Sequence, residues 1–193
     1  GLMSIEKDVE DPHSSPLFQK YPAVGNDHHV VEFITDYLRM MVSGNLNAHE
    51  IETLMDSEIE THHQEAHAPL AAIARLAGGL PAFGIVAAVL GVVNTMGSVG
   101  QPPAVLGAMI GSALVGTFLG ILLAYGVFEP LGGLMDQKVE ESSKEFQCIK
   151  TTLLASMQGY APATAVEFGR KVLFSDVRPT FTELENHVKG KKA

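Results

Sequence analysis

Residues 80–99 read LPAFGIVAAVLGVVNTMGSV and residues 104–128 read AVLGAMIGSALVGTFLGILLAYGVF, with only Gly100-Gln101-Pro102-Pro103 between them. The first stretch is apolar except for Asn94, Thr95 and Ser98. The second is apolar except for Ser112 and Thr117, with Tyr125 near its end. A helix needs about 20 apolar residues to cross the hydrocarbon core of a bilayer, and both stretches reach that length. The tandem prolines remove backbone donors and stop a helix between them. So short a connection forces an antiparallel return, and the two stretches predict a transmembrane helical hairpin.

Charge is segregated around this hairpin. The 193-residue chain carries a formal net charge of -9 although its mean hydropathy is positive. No Asp, Glu, Lys or Arg occurs between Arg75 and Glu129, an exclusion that neither a solvated loop nor an ordinary soluble core produces. Residues 1–75 hold 13 acidic and 4 basic side chains, whereas residues 129–193 hold 9 of each. The acidity therefore belongs to the N-terminal segment, which disfavours nucleic acid and suits a basic or mixed-charge protein partner, or simply a solvated surface. Orientation follows the positive-inside bias. The connecting loop lacks Lys and Arg, while Arg75 precedes the hairpin and Lys138 and Lys144 follow it, so both termini are expected in the cytoplasm.

Outside the hairpin the pattern is amphipathic and helical. Residues 1–25, with Pro12, Pro16 and Pro22, read as a short helix and a loop. Val30, Val31, Phe33, Ile34, Tyr37, Leu38, Met41 and Val42 keep the spacing of a one-faced helix that Gly44 can close. Asn47 with Glu50 makes a capping-box-like start for a second, with Ile51, Leu54, Met55 and Ile59 on its apolar face. After Glu129-Pro130, Met135, Val139, Ser142, Phe146, Ile149 and Leu153 form a heptad-like seam that Gly159 ends. Pro162 to Phe174 predicts a further helix, and Thr180 with Glu183 caps a last short one before a basic tail. The fold class is thus an all-α membrane protein. Residues 1–75 form an acidic cytoplasmic helical segment, residues 76–128 the transmembrane hairpin (helices at about 80–99 and 104–128), and residues 129–193 a cytoplasmic helical tail.

Individual residues leave alternatives open. Gly84, Ala88 and Gly91, then Gly107-x-x-x-Gly111 and Gly116-x-x-x-Gly120, have the small size that lets membrane helices approach closely, although glycine is also common there without such a role. Two helices cannot use all of these faces. Thr117 either bonds the carbonyl one turn earlier or lines an ion path. An ion path through a membrane ordinarily needs an ionisable group, and the hairpin has none, so a partner would have to bring the carboxylate. Pro81 and Pro130 bracket the hairpin as punctuation or as hinges. Glu58, His62, His63 and His67 can share a helical face at metal-ligand spacing, but the segment is strongly hydrophilic and no second shell is evident, so a solvated face and no metal are expected. Cys148 is the only cysteine, which excludes an internal disulfide and suits a reducing cytoplasm. No catalytic nucleophile framed by glycines and no phosphate-binding loop is present, and no enzyme is expected. The chain opens on Gly1 with no signal-peptide pattern, as a piece starting inside a longer protein would.

The residues also carry a family likeness. LPAFGIVAAVLG at 80–91, VGTFLGILLAYG at 115–126, Gly159-Tyr-Ala-Pro, Ala165-Val-Glu-Phe-Gly-Arg-Lys171, Arg178-Pro179 with Glu183 and Glu185, and Ile51 to Glu60 together resemble the second half of the MotA-type flagellar stator subunits. The likeness covers nearly the whole chain. It implies the third and fourth of four membrane helices, a pentameric ring around a MotB-type partner whose membrane aspartate carries a proton (sodium less so), and contact with the rotor protein FliG. It implies a bacterial inner-membrane location, a part in flagellar rotation and chemotaxis, and no cofactor beyond the coupling ion. Glu6, in Ser4-Ile-Glu-Lys-Asp8, matches the family's acidic rotor contact, and Glu58 matches a second cytoplasmic charge. Pro81 and Pro130 match the prolines that couple ion flow to rotation, which favours the hinge reading. Thr117 and Ala88 match positions facing the partner's aspartate. The ExbB/TolQ type of proton-driven energiser, with three membrane helices, is the alternative.

Overall fold

The computed structural model describes residues 5–44 and 47–190, and among these every regular element is helical. Nine α-helices follow in order among the described residues: α1 (Glu6–Glu10), α2 (Pro16–Gln19), α3 (Pro22–Gly25), α4 (His28–Ser43), α5 (Ala48–Met96), α6 (Pro103–Leu123), α7 (Glu129–Met157), α8 (Pro162–Val172) and α9 (Phe181–Val188). A π-helical turn, Ala124–Phe128, joins α6 to α7 without a break. The chain divides into two compact units, one of residues 1–62 with 141–193 and the other of residues 63–140.

In the first unit a helical core is built from large apolar side chains at helical intervals. Val30, Phe33 and Tyr37 of α4, Ile51, Met55 and Ile59 of α5, and Phe146 and Leu154 of α7 are buried together. The Phe33 ring meets Tyr37 at 4.8 Å and Phe146 edge-on at 5.1 Å between centroids, the offset geometry that aromatic quadrupoles favour. Leu54 and Val42, placed by periodicity on the apolar faces, are exposed. The helix ends obey local chemistry. Asn47 Oδ1 accepts from the backbone N–H of His49 and Glu50 while Glu50 Oε2 accepts from Asn47 N–H, a complete capping box. Gly44 and Gly159 adopt positive φ, +67° and +85°, where α4 and α7 stop. Thr180 and Glu183 form a second capping box at α9. Residues 1–25 are expected as one helix and a loop; the described part, residues 5–25, contains three short helices instead, because Ser15-Pro16 and Tyr21-Pro22 each set a new start with proline at the first helical position.

In the second unit α5 returns as α6 through a turn at 97–102, held by Ser98 N–H to Thr95 O and Gln101 N–H to Ser98 O. The apolar stretches of α5 and of the continuous α6–α7 helix are long enough to cross a membrane, yet only about a tenth of their residues are buried within the protein. Phe83, Leu90 and Phe118 are 75%, 64% and 65% exposed. A soluble core helix hides such residues, so these faces belong against lipid or other membrane helices. The expected helix start near residue 80 is absent. α5 runs unbroken from Ala48, with Pro69 and Pro81 inside it, because each proline forfeits a single backbone bond within a helix that is bonded over many turns on either side.

Candidate functional site

The hairpin closes where side chains vanish. A methyl added at Gly84 would stand 2.7 Å from the Gly116 carbonyl oxygen and 3.1 Å from Thr117 Cα; one at Gly120 would stand 2.6 Å from the Leu80 carbonyl oxygen. One at Gly91 would meet Ala113 Cβ at 2.5 Å. Backbone therefore meets backbone along α5 and α6, which in the absence of a hydrophobic drive is how membrane helices gain packing energy. Gly107 and Gly111 have nothing within 4 Å of an added methyl, so their face of α6 is open. A groove of about 650 Å³ between α5 and α6, lined by Asn94, Thr95, Met109 and Ser112 among others, opens near the turn.

Thr117 sits at this crossing. Its hydroxyl donates to the Gly84 carbonyl oxygen of α5 at 3.2 Å, rather than to the carbonyl one turn back on its own helix. That local bond belongs to Thr95, whose hydroxyl donates to Gly91 O at 2.9 Å. Ala88 is half-buried one turn beyond Gly84, and its backbone nitrogen lies 3.8 Å from the methyl that would be added at Gly116. The structure thus brings Thr117, Gly84 and Ala88 together.

The two prolines lie within continuous helix. Pro81 is internal to α5, which leaves the Ala77 carbonyl without its helical donor. Pro130, the second residue of α7, follows the π turn directly, and there Glu129 N–H bonds Ala124 O, five residues back. A proline ring crowds the carbonyl four residues before it, here Gly126, and an extra residue per turn relieves that crowding. Neither proline acts as the terminator that spacing alone suggests. The π turn has no signal in the sequence beyond Pro130 itself.

Glu6 is exposed in the first turn of α1. Glu58, on the outer face of α5, accepts a 2.6 Å hydrogen bond from the Tyr37 hydroxyl. Burial first, then the bond to Glu58 and its charge, push the Tyr37 phenol well above its ordinary value of 10. In the same unit Arg170 is nearly buried, donating to both Glu167 oxygens and to Pro179 O, so it ties α8 to the segment leading into α9. Its hydrogen bond holds the Glu167 carboxyl below its usual range. The histidines are less solitary than the sequence suggests. His63 and His67 face α7, where Glu140 and Asp136 stand opposite them, while His62 packs on Phe146 in the other unit.

These features define a class: an all-α membrane protein whose hairpin closes backbone to backbone and carries no carboxylate, amine, guanidinium or imidazole of its own. The chain belongs to the MotA/TolQ/ExbB proton channel family, whose model matches residues 26–148. It is 54% identical over 192 residues to Motility protein A of Escherichia coli (strain K12), covering 100% of this chain and 65% of that protein. It is 54% identical over 190 residues to Motility protein A of Salmonella typhimurium, covering 98% and 64%. The chain thus spans just under two thirds of the length of these relatives. Among solved structures, C. jejuni MotAB superposes with a TM-score of 0.71 at 19% identity, over 93% of this chain and 69% of that one, and shares the fold. Family and membrane-length helices together make this an inner-membrane protein of a channel family rather than an enzyme.

Proposed function

We propose that the chain is the C-terminal portion of a flagellar motor stator subunit, forming with a MotB-type partner an ion path whose flow drives torque on the rotor. The observation that carries this reading is the 54% identity to Motility protein A across the whole chain. Chemistry supports it. Residues 76–128 contain no Asp, Glu, Lys, Arg or His, so a proton relay there requires a carboxylate from another chain. The open face at Gly107 and Gly111 and the groove at Asn94 and Ser112 are suited to further helices, from the same subunit or from neighbours in a ring.

In this reading the proton is the coupling ion and both termini of the chain are cytoplasmic. Thr117 and Ala88 face the partner's aspartate. Pro81 and Pro130 transmit its protonation to the cytoplasmic helices: each lacks one backbone bond, so each permits a bend at lower cost than an intact turn. Glu6 and Glu58 face the rotor protein FliG, with Glu6 free to reach it and Glu58 held by Tyr37. In-frame deletion of the full-length gene with plasmid complementation tests the assignment. Normal numbers of flagella that do not turn, restored by the gene, support it. Normal swimming with lost envelope integrity or energised uptake would transfer the chain to the ExbB/TolQ branch of the family.

A further inference from the structure

We propose that His63, His67 and Glu140 form a binding site for a divalent transition-metal ion of the zinc class, with Asp136 as the carboxylate that holds His67 in place. One ligand atom from each of the three lies within 4.8 Å of the others. The site is made by two matching intervals. His63 and His67, one turn apart on α5, present neighbouring rings 4.3 Å apart, and Asp136 and Glu140 are one turn apart on α7. Because the helices run in opposite directions, His63 Nε2 stands 3.8 Å from Glu140 Oε1 and His67 Nδ1 stands 3.9 Å from Asp136 Oδ1.

The donor set selects the ion. Two imidazole nitrogens with a carboxylate suit Zn²⁺, Co²⁺ or Ni²⁺, whereas Mg²⁺ and Ca²⁺ demand oxygen shells. Ligands about 2.0–2.1 Å from a tetrahedral ion lie roughly 3.4 Å apart, so closing the cluster takes about 1 Å of side-chain movement. The side chains have that freedom, since His63 and His67 are 28% and 34% exposed and Glu140 is 49% exposed. The backbones need not move. All four residues lie inside long helices, and α5 and α7 run side by side nearby, where a methyl added at Gly132 would meet Ile73 Cγ2 at an ordinary contact distance of 3.8 Å. Three ligands on a partly exposed surface leave a coordination position to water, which makes this an exchangeable site rather than a structural one. The competing account is a pair of weak ion pairs between protonated histidines and carboxylates, which needs no metal.

The test uses the full-length protein purified in detergent without a polyhistidine tag, stripped with a chelator and titrated with Co²⁺ while its visible absorption is followed, then with Zn²⁺ in competition. The site predicts one ion per chain in the micromolar range, and a tenfold or greater loss of affinity in His67→Gln and in Glu140→Gln. His49→Gln, an exposed histidine outside the cluster, should bind as the unaltered protein does. Circular dichroism confirms that each variant keeps its helical content. Zn²⁺ should also raise the melting temperature of the unaltered protein and not that of His67→Gln. Binding that is equally tight in the variants, or absent from the unaltered protein, overturns the proposal and leaves the ion-pair account.

Discussion

The Thr117 hydroxyl donates to the Gly84 carbonyl oxygen across the hairpin, 3.2 Å away, at the point where no side chain separates α5 from α6. The bond is long for a hydroxyl donor, and the Gly84 carbonyl already belongs to the helical ladder of α5, so it adds direction to a contact that packing establishes. Thr117→Val should therefore cost only about 0.6 kcal/mol of hairpin stability, the average for hydrogen bonds between membrane helices. Thr117→Ser should keep it. Denaturant titration in mixed micelles measures the difference. In the stator reading, Thr117→Lys blocks ion flow altogether, and undiminished partner-dependent conductance would remove Thr117 from the path.

Gly84→Ala drives a methyl to 2.7 Å from the Gly116 carbonyl oxygen. Both atoms are backbone, so the helices must separate, at a cost of about 1–3 kcal/mol. Gly111→Ala, with open space around it, should leave the stability of the hairpin unchanged in the same assay. Equal effects at the two positions would mean that close approach at Gly84 does not hold the helices together.

Tyr37→Phe removes the hydroxyl that binds Glu58 and should destabilise the cytoplasmic helices by about 1.5 kcal/mol, in the range for a hydrogen bond to a charged acceptor. The pH dependence has a definite sign. The folded phenol ionises above its ordinary value of 10. The folded state therefore keeps a proton that the unfolded state releases, and stability is fully present below pH 10 and is lost as pH rises above it. Melting curves from neutral to alkaline pH should show this loss in the unaltered protein and a shallower one in Tyr37→Phe.

Pro130→Ala restores an N–H that can bond the Gly126 carbonyl and removes the ring that crowds it. The π turn at Ala124–Phe128 should relax to regular α-helix, seen as slower amide hydrogen exchange at residues 126–130. If Pro130 couples ion flow to rotation, swimming falls while the protein still reaches the membrane. Unchanged exchange would mean that the π turn does not depend on the proline.

Glu6→Lys should impair torque without affecting insertion or assembly, as measured by tethered-cell rotation, since Glu6 is exposed in the first turn of α1. Glu58→Gln is the informative companion: it retains an acceptor for Tyr37 and removes the charge, so a torque defect there would be electrostatic rather than structural. Full torque in Glu6→Lys would remove Glu6 from the rotor contact.

Much of this protein was legible one residue at a time. Two apolar stretches joined by Gly100-Gln101-Pro102-Pro103 suffice for a membrane hairpin, because lipid imposes a length and a composition on any helix that spans it. The capping boxes at Asn47 and Thr180 and the glycine ends at Gly44 and Gly159 are equally local, since each satisfies backbone groups within one turn. The absence of Asp, Glu, Lys, Arg and His between residues 76 and 128 is also a sequence fact, and it requires that any carboxylate proton carrier come from elsewhere. Tertiary structure decided which alternative each ambiguous residue took. It turned the Thr117 hydroxyl toward α5, separated the glycines that close the hairpin from those left open, kept Pro81 and Pro130 inside continuous helix, and set Glu140 and Asp136 opposite His63 and His67. Each of these depends on a partner from 22 to 77 positions away in the chain, or on the strength of a helix as a whole. Spacing along one helix specifies which residues share a face, but the packing of two helices specifies what that face meets.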